Sequence, residues 1–200
     1  MRAIWIPKAG KPDVLSLRES PDPEPKAGEV RVRVHAAGLN FAEVMARQGL
    51  YPDAPKMPFI PGYEAGGVVD AVGEGVTSAK VGDRVAALTR FGGHSDCVVV
   101  PENQIFHMPA SMSFEQAAAL PVNYLTAYHM LFQVARIKPG DHVLIHMAAG
   151  GVGTAVLQLC KTVENVTTYG TASAGKHDYV RSHCCDHVID YRSSDYVEEI

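Results

Sequence analysis

The chain has 200 residues, of which 46% are hydrophobic and 20% are charged. Its 18 basic and 22 acidic residues give a formal net charge of −4, which does not favour nucleic acid as a partner. The four cysteines lack CxxC spacing, and the sequence shows neither a signal peptide nor an apolar run long enough to cross a bilayer. The composition excludes disulfide-rich, membrane-spanning and disordered proteins, and it predicts a cytoplasmic globular protein of one or two domains.

The first hundred residues consist of short stretches in which apolar and polar residues alternate, separated by glycine and proline. Residues 30–34, Val-Arg-Val-Arg-Val, alternate as a strand with one buried face does. Further strands are predicted at residues 66–73, 81–85 and 97–100. Asn40 is placed to cap a helix that begins at Phe41 and ends before Gly49. This spacing of short strands predicts a small antiparallel barrel or sandwich.

Beyond residue 110 helices and strands alternate. Ser113 and Gln116 have the spacing of a capping box, and a longer helix is predicted over residues 121–134. The remaining predicted elements are strands at residues 143–145, 166–169 and 187–191, with helices at residues 154–163 and 177–184 between them. This order is typical of the first half of a doubly wound parallel sheet, so we expect two domains, residues 1–120 and 121–200.

The last residues of the chain suggest that the second domain is truncated. Residues 195–200 resemble the first turns of another helix, whereas a doubly wound dinucleotide-binding domain has about six strands. We therefore expect the chain to be an amino-terminal fragment of a longer protein. On that expectation the 200 residues alone are inactive.

A glycine-rich loop, Ala148-Ala149-Gly150-Gly151-Val152-Gly153, joins a predicted strand to the helix that follows it. In that position glycines let the backbone approach a pyrophosphate, and the helix N-terminus offers unpaired N–H groups. Ala148 replaces the first glycine of the G-x-G-x-x-G fingerprint, which leaves the approach at Gly150 and Gly151 open. We predict that residues Ala149 to Gly153 bind the pyrophosphate of a dinucleotide. The alternative is a connection whose glycines serve only the packing of helix on strand.

The residues after the second strand of the predicted sheet favour NADPH over NADH. NAD-dependent enzymes place a carboxylate about 20 residues beyond the loop to hold the ribose 2′-hydroxyl, and residues 168–173 contain none. Ser173 and Lys176 suit a 2′-phosphate instead, and Tyr191 ends the third strand. We predict that Thr171, Ser173, Lys176 and Tyr191 bind the adenosine end of the cofactor. The alternative for Lys176 is a solvated surface lysine.

Four motifs spread over the chain resemble those of one enzyme family. They are Ala-Ala-Gly-Leu-Asn-Phe at residues 36–41, Pro-Gly-Tyr-Glu-Ala-Gly-Gly-Val-Val at 61–69, Val-Gly-Asp-Arg-Val at 81–85 and the segment from Gly140 to Gly153. Together they are similar to the quinone oxidoreductase and zeta-crystallin branch of the medium-chain dehydrogenase/reductases. Residues 122–128 and 162–167 most resemble its vesicle amine transport protein subgroup. The resemblance implies an α/β chain with a GroES-like β-barrel domain followed by a Rossmann domain.

The resemblance also implies that no metal takes part. Zinc-dependent relatives have a cysteine and a histidine where this chain has Asn40 and Tyr63, and amide and phenol groups are poor zinc ligands. His142 and His146 are four residues apart in a predicted strand, which separates them by about 13 Å. Residues 183–187, His-Cys-Cys-Asp-His, do not match a closed structural metal site.

The candidate residues for the reaction follow from the charge that it develops. Hydride transfer to a conjugated carbonyl compound places negative charge on its oxygen, which a neutral hydrogen-bond donor would stabilise. Asn40 is the first candidate donor, Tyr51 and Tyr63 are the second candidates, and Tyr124 and Thr126 are candidates at the nicotinamide end of the cofactor. The structural alternatives are a helix cap for Asn40, loop anchoring for Tyr51 and a core position for Tyr63.

The sequence therefore predicts a zinc-independent, NADPH-dependent oxidoreductase that transfers hydride to a quinone or a conjugated carbonyl compound. One alternative is an NADPH-binding scaffold of vesicle amine transport type with little turnover, and another is an enoyl reductase. The expected partner is a small-molecule quinone or enone, with no nucleic acid. A homodimer is expected only for the full-length protein.

Overall fold

The computed structural model describes all 200 residues, and the chain divides into two compact units, Met1–Val122 and Asn123–Ile200. The sequence-based boundary lies between residues 120 and 121. Each unit has its own apolar core, one centred on valines of an antiparallel sheet and the other on the contact between a parallel sheet and its helices. None of the helices is both long enough and apolar enough to cross a membrane.

The first unit is built on antiparallel strands. Strands β1 (Arg2–Trp5) and β2 (Ser16–Glu19) pair with each other. The five remaining strands form one sheet in the order β6-β3-β4-β5-β7. They are β3 (Glu29–Ala37), β4 (Glu64–Val72), β5 (Arg84–Leu88), β6 (Cys97–Pro101) and β7 (Ile105–His107). The predicted strands at residues 30–34, 66–73 and 97–100 are confirmed, whereas β1, β2 and β7 were not predicted.

The alternation of residues 30–34 sets the two faces of this sheet. Val30 and Val32 are fully buried in the valine core. The arginines that alternate with these valines lie on the opposite face, where Arg31 Nε is 2.8 Å and Arg33 Nη2 is 2.7 Å from the carboxylate of Asp70. A strand of period two thus buries its apolar side chains and pairs its charged ones.

The strand predicted at residues 81–85 begins later than expected. Residues 80–83 form a turn instead, in which Asp83 N–H donates to the carbonyl of Lys80 at 3.1 Å and Gly82 has a φ of +97°. The Asp83 side chain accepts a hydrogen bond from Lys80 N–H at 3.0 Å, which closes the turn. The strand therefore starts at Arg84, because an aspartate that bonds its own turn competes with the ladder.

Two short helices complete the first unit. Helix α1 (Phe41–Arg47) begins after Asn40, and Gly49 follows it with a φ of +76°, as the sequence predicts. Helix α2 (Phe114–Ala118) begins with the predicted capping box: Gln116 N–H donates to Ser113 Oγ at 3.2 Å, and Ser113 N–H donates to Gln116 Oε1 at 2.9 Å.

The second unit contains a three-stranded parallel sheet in the order β10-β9-β8. Its strands are β8 (His142–Ile145), β9 (Thr167–Ala172) and β10 (His187–Asp190), and its helices are α4 (Gly151–Cys160) and α5 (His177–Ser182). Helix α3 (Pro121–Tyr128) contains the boundary between the two units along the sequence. It continues as a π-helix over His129–Ala135. The β-α-β-α-β order predicted from the sequence is confirmed.

Several boundaries in the second unit differ from the prediction, and two of these differences have a local cause. Helix α4 begins at Gly151, three residues before the predicted start at residue 154, because the glycines of the loop themselves take helical backbone angles. Residues 195–198 form a hydrogen-bonded turn, closed by Glu198 N–H to the carbonyl of Asp195 at 3.1 Å, where the sequence suggested the start of a helix. The Asp195 side chain also accepts from Val197 N–H at 2.9 Å, which favours the turn.

Candidate functional site

The glycine-rich loop lies between the end of β8 and the N-terminus of α4. Ala148 N–H donates to the carbonyl of Thr171 on the neighbouring strand at 3.1 Å, and Gly150 N–H donates to the carbonyl of Met147 at 2.8 Å. Met147 has a φ of +54°, which turns the chain away from the strand. The loop is therefore held against the carboxyl ends of the parallel strands, the edge at which open α/β sheets bind ligands.

The glycines of this loop have different surroundings. A Cβ at Gly153 would lie 2.5 Å from the carbonyl oxygen of Met147 and 2.8 Å from Ala148 Cα, so close packing of helix on loop excludes any side chain there. A Cβ at Gly151 would lie 2.6 Å from Asn123 Oδ1. Close packing against neighbouring groups, the alternative to cofactor binding, thus explains in part why both residues are glycines.

The first turn of α4 carries the anion-binding potential of the loop. Gly150 precedes the helix in extended geometry, and no side chain makes a capping hydrogen bond there. The first N–H groups of a helix have no partner within the helix, and the helix dipole adds positive potential at this end. The backbone at Gly151, Val152 and Gly153 therefore suits a phosphate, and the loop fits a dinucleotide cofactor.

The carboxyl ends of β9 and β10 carry cationic and polar side chains at the same edge of the sheet. Ser173 and Lys176 bound a turn after β9, in which Lys176 N–H donates to the carbonyl of Ser173 at 2.8 Å. Lys176 is exposed, and its ammonium group makes no ion pair or hydrogen bond. Tyr191 directly follows β10 and is 52% exposed, with the Arg192 guanidinium 5.7 Å from its ring centre. The sequence reasoning missed Arg192, although its position after a strand end was readable.

Three other predicted cofactor contacts are held by protein groups or lie on the surface. Thr171 is only 3% exposed, and its hydroxyl is 3.2 Å from His146 Nδ1, so it supports the end of β8 more directly than it offers a ligand contact. Tyr124 donates its hydroxyl proton to Gln158 Oε1 of α4, and burial raises the pKa of the phenol. Thr126 is exposed on α3.

Asn40 lies between two buried carboxylates of the first unit. Its backbone N–H donates to Glu43 Oε2 at 2.6 Å, and its side-chain Nδ2 donates to Glu64 Oε1 at 2.9 Å. Glu43 is 4% exposed and Glu64 is 1% exposed. Burial raises the pKa of Glu64, against the effect of its hydrogen bonds from Val122 N–H and Asn40. The sequence identified Asn40 as a candidate, but it missed Glu43.

The two candidate tyrosines lie together in the first unit. The rings of Tyr51 and Tyr63 meet edge to face with centroids 6.0 Å apart, and Phe91 lies 5.0 Å from Tyr63. The Tyr63 backbone N–H donates to Glu43 Oε1 at 3.2 Å, which links Tyr63 to Asn40 through one carboxylate. The Tyr63 hydroxyl is buried without a hydrogen-bond partner, and burial, followed by the nearby Tyr51, raises its pKa.

The histidines and cysteines of the chain engage other groups. No group of three or more His, Cys, Asp or Glu side chains converges to hold a metal ion in the 200 residues. His142 and His187 stack on the two sides of Tyr169, with centroid distances of 5.8 and 4.7 Å. Within residues 183–187, Cys185 is buried, and the carboxylate of Asp186 lies 2.8 Å from Lys161 Nζ.

The structure thus brings the predicted residues together in two sets. In the first unit, Asn40 and Tyr63 both donate backbone N–H groups to the Glu43 carboxylate, and the ring of Tyr51 packs against that of Tyr63. In the second unit, the loop from Ala149 to Gly153 and the strand-end residues Ser173, Lys176 and Tyr191 occupy one edge of the parallel sheet. Asn123 is a further residue of the second set that the sequence reasoning did not single out.

Comparison with known proteins bears on both units. Residues 26–110 match the alcohol dehydrogenase GroES-like domain. The chain is 52% identical over 202 residues to the synaptic vesicle membrane protein VAT-1 homolog of Rattus norvegicus, an alignment that covers 100% of this chain and 50% of that protein. The chain spans about half the length of the VAT-1 homologs it matches.

Solved structures of similar proteins share the fold over the whole chain. The Escherichia coli quinone oxidoreductase complexed with NADPH superposes with a TM-score of 0.93 at 37% identity, covering 100% of this chain and 61% of that one. The CurK enoyl reductase superposes with a TM-score of 0.92 at 34% identity, covering 100% and 62% respectively. The predicted fold, a GroES-like domain followed by a Rossmann-like parallel sheet, is confirmed.

Proposed function

Because this chain belongs to the quinone oxidoreductase-like branch of the medium-chain dehydrogenase/reductases, near the VAT-1 homologs, we propose that it serves NADPH-dependent reduction of a quinone or conjugated carbonyl compound without zinc. The observation that carries the proposal is the uncapped first turn of α4, which follows a glycine-rich loop at the carboxyl edge of a parallel sheet. A Rossmann-type edge of this kind holds the diphosphate of a dinucleotide.

The residues present fit NADPH. The N–H groups at Gly151, Val152 and Gly153 would hold the diphosphate, and Lys176 with Ser173 would hold the 2′-phosphate at the end of β9, where no carboxylate stands to repel it. Arg192 adds a second cation after β10. When bound, NADPH supplies the hydride, and the protein's contribution is to position it and to exclude water.

On the acceptor side, the groups of the first unit would act by hydrogen bonding. The amide of Asn40 would donate to the carbonyl oxygen that gains negative charge, and the aromatic group of Tyr51, Tyr63 and Phe91 would contact a flat acceptor. By the family resemblance, zinc-dependent relatives have cysteine and histidine where this chain has Asn40 and Tyr63. An amide and a phenol are poor ligands for zinc, which supports a zinc-independent reaction.

Two observations support other candidates. The VAT-1 homologs at 52% identity are named synaptic vesicle membrane proteins, which favours an NADPH-binding scaffold with little turnover. The match to the CurK enoyl reductase favours a conjugated carbon–carbon double bond as the hydride acceptor. We further propose a cytoplasmic location, because all four cysteines are free thiols, as a reducing compartment permits. A homodimer is proposed for the full-length protein.

One set of measurements tests these candidates. The full-length protein is titrated with NADPH and NADH by fluorescence and then assayed for NADPH oxidation with ortho-quinones and with conjugated enals. Quinone turnover with tighter binding of NADPH supports the proposal, and turnover confined to enals supports the enoyl reductase. Saturable NADPH binding without oxidation supports the scaffold. An absence of saturable binding of either cofactor overturns all three.

A further inference from the structure

Glu64 is a buried carboxylate with both oxygen atoms engaged by fixed donors. Oε1 accepts from Asn40 Nδ2 at 2.9 Å, and Oε2 accepts from Val122 N–H at 2.8 Å in the first turn of α3. Val122 N–H is a backbone group near a helix N-terminus, so it can only donate a hydrogen bond. The helix dipole favours a negatively charged acceptor at this end. The carboxylate is therefore anchored at one oxygen and presents the other to Asn40.

The side chain of Glu64 fills a space that depends on a glycine at residue 38. Glu64 opens β4, and its carbonyl accepts from Gly38 N–H at 3.2 Å. A Cβ at Gly38 would collide with the Glu64 side chain and would lie 2.5 Å from the carbonyl oxygen of Ala118. The absence of a side chain at residue 38 thus makes the space that Glu64 fills.

A carboxylate in this position selects one orientation of the Asn40 amide. An ionised carboxylate only accepts hydrogen bonds, whereas an amide has a donating NH₂ on one side and an accepting oxygen on the other. Turning the amide over would place Oδ1 against Glu64 Oε1, and two acceptors would face each other in a buried site. One N–H of Asn40 is consequently committed to Glu64, and the second N–H of the same nitrogen has a fixed direction.

We propose that Glu64 is a positioning residue, which orients the Asn40 amide so that its second N–H donates to the carbonyl oxygen of the acceptor. The inference rests on the proposed function, because it assigns Asn40 to the acceptor. Glu64 itself touches neither cofactor nor acceptor in this role. Its effect on the reaction passes through the direction of one amide, a form of preorganised hydrogen bonding.

The substitution Glu64→Gln reverses this orientation while conserving shape. The introduced glutamine must give its oxygen to Val122 N–H, which leaves its NH₂ facing residue 40 and requires Asn40 to present Oδ1. The double substitution Asn40→Asp with Glu64→Gln restores complementary donors and acceptors, but residue 40 then has no N–H for the acceptor. Asn40→Asp alone places a third carboxylate beside Glu43 and Glu64 and is expected to destabilise the protein.

The test compares these three variants with Glu74→Gln, an exposed glutamate of the same unit, as the control for loss of charge. We expect E64Q to lower kcat by roughly 10- to 100-fold, at or below the cost of removing an oxyanion donor, with KM for NADPH unchanged. Asn40→Asp should lower the urea midpoint of unfolding. The double variant should restore that midpoint, but it should not restore kcat. Wild-type kcat in E64Q, or a double variant no more stable than Asn40→Asp, overturns the positioning role.

A second measurement separates this inference from the proposed function. If the wild-type protein oxidises no NADPH with any acceptor, the proposed function fails, and the orientation is then read from the side-chain amide protons of Asn40 by ¹H–¹⁵N NMR. The carboxylate hydrogen bond should move one of the two protons further downfield than in a solvent-exposed asparagine, and E64Q should remove that additional shift. Amide resonances that E64Q leaves unchanged overturn the inference independently of turnover.

Discussion

The carboxamide of Asn123 occupies the space into which a side chain at residue 151 would extend, since a Cβ there would lie 2.6 Å from Asn123 Oδ1. At Gly153 the corresponding space is filled by main chain, with the carbonyl oxygen of Met147 at 2.5 Å. Two glycines of one loop are thus required by neighbours of different stiffness. A side-chain amide can rotate away, whereas the Met147 carbonyl is main chain that accepts from Gly150 N–H and cannot move without disturbing the loop.

We expect Gly153→Ala to be more destabilising than Gly151→Ala, by about 1–3 kcal/mol in the free energy of unfolding, the usual cost of overpacking. Both residues lie in α4, so the gain in helix propensity is the same for the two variants. Measured against Asn123→Ala alone, the cost of Gly151→Ala should disappear, whereas that of Gly153→Ala should remain. Urea unfolding measures the difference, with Gly175→Ala, which has open space around it, as the control. Equal rescue of both variants would contradict the packing described.

Lys176→Ala is expected to weaken NADPH binding by roughly tenfold or more and to leave NADH binding unchanged, because a charged hydrogen bond to the 2′-phosphate contributes about 1.5–3 kcal/mol. The ammonium group of Lys176 has no protein partner that its removal would disturb. Calorimetric titration of the full-length protein with each cofactor measures the ratio of affinities. Arg192→Ala should act in the same direction if this cation also reaches the phosphate.

The matched control for these variants is Lys138→Ala, which removes an exposed lysine from a turn of the same unit. It should leave both affinities unchanged. A parallel loss of NADPH and NADH affinity in Lys176→Ala would assign the lysine to general electrostatics instead of the 2′-phosphate.

The stability of the second unit is expected to depend on Asp186 at acid pH. Burial raises the pKa of Asp186, but hydrogen bonds from Lys161 and Thr168 outweigh burial and leave the pKa below its ordinary value. The folded state thus holds the proton less tightly than the unfolded chain. The resulting stabilisation is present above the unfolded pKa of about 4 and is lost as the pH falls through the lower folded value.

Thermal unfolding between about pH 2 and pH 6 measures this effect, since the window brackets the ordinary carboxylate pKa. The Tm of the wild-type protein should fall more steeply below about pH 4 than that of Asp186→Asn, which has no such proton to bind. Asp178→Asn, a change at a fully exposed carboxylate, should keep the wild-type slope. Identical slopes in Asp186→Asn and the wild type would contradict the contribution of this carboxylate.

Tyr63→Phe separates stability from activity at one residue. The Tyr63 hydroxyl is buried without a partner, and an unsatisfied buried polar group costs about 1–3 kcal/mol, so its removal should leave Tm unchanged or raised. If the hydroxyl donates to the acceptor, as the sequence analysis suggests for this tyrosine, kcat should fall in the same variant. Tyr51→Phe serves as the comparison because the two rings are in contact. A marked fall in Tm for Tyr63→Phe would show that the hydroxyl has a structural partner.

The candidate site was only partly readable from the sequence. The glycine-rich loop and Lys176 were identified from local signals, which are glycines between a strand and a helix and a cation where a carboxylate is expected. Asn40 was identified from the family resemblance and from the ability of its amide to donate. Nothing in the local sequence indicates that Thr171 is buried. In the structure its hydroxyl lies within hydrogen-bond distance of His146 Nδ1. Glu43 and Asn123 were missed because a glutamate in a helix and an asparagine near a helix start are ordinary by composition.

The sequence by itself determined the elements whose periodicity is short-range, including β3, α1 and the β-α-β-α-β order of the second unit. Only the tertiary structure decided the late start of β5, the bond between Asn40 and Glu64 across 24 residues, and the contact of Asn123 with Gly151. A periodic pattern needs only the few residues that share one turn or one strand. A contact between distant residues depends on how the backbone brings them together, and no local stretch of sequence carries that information.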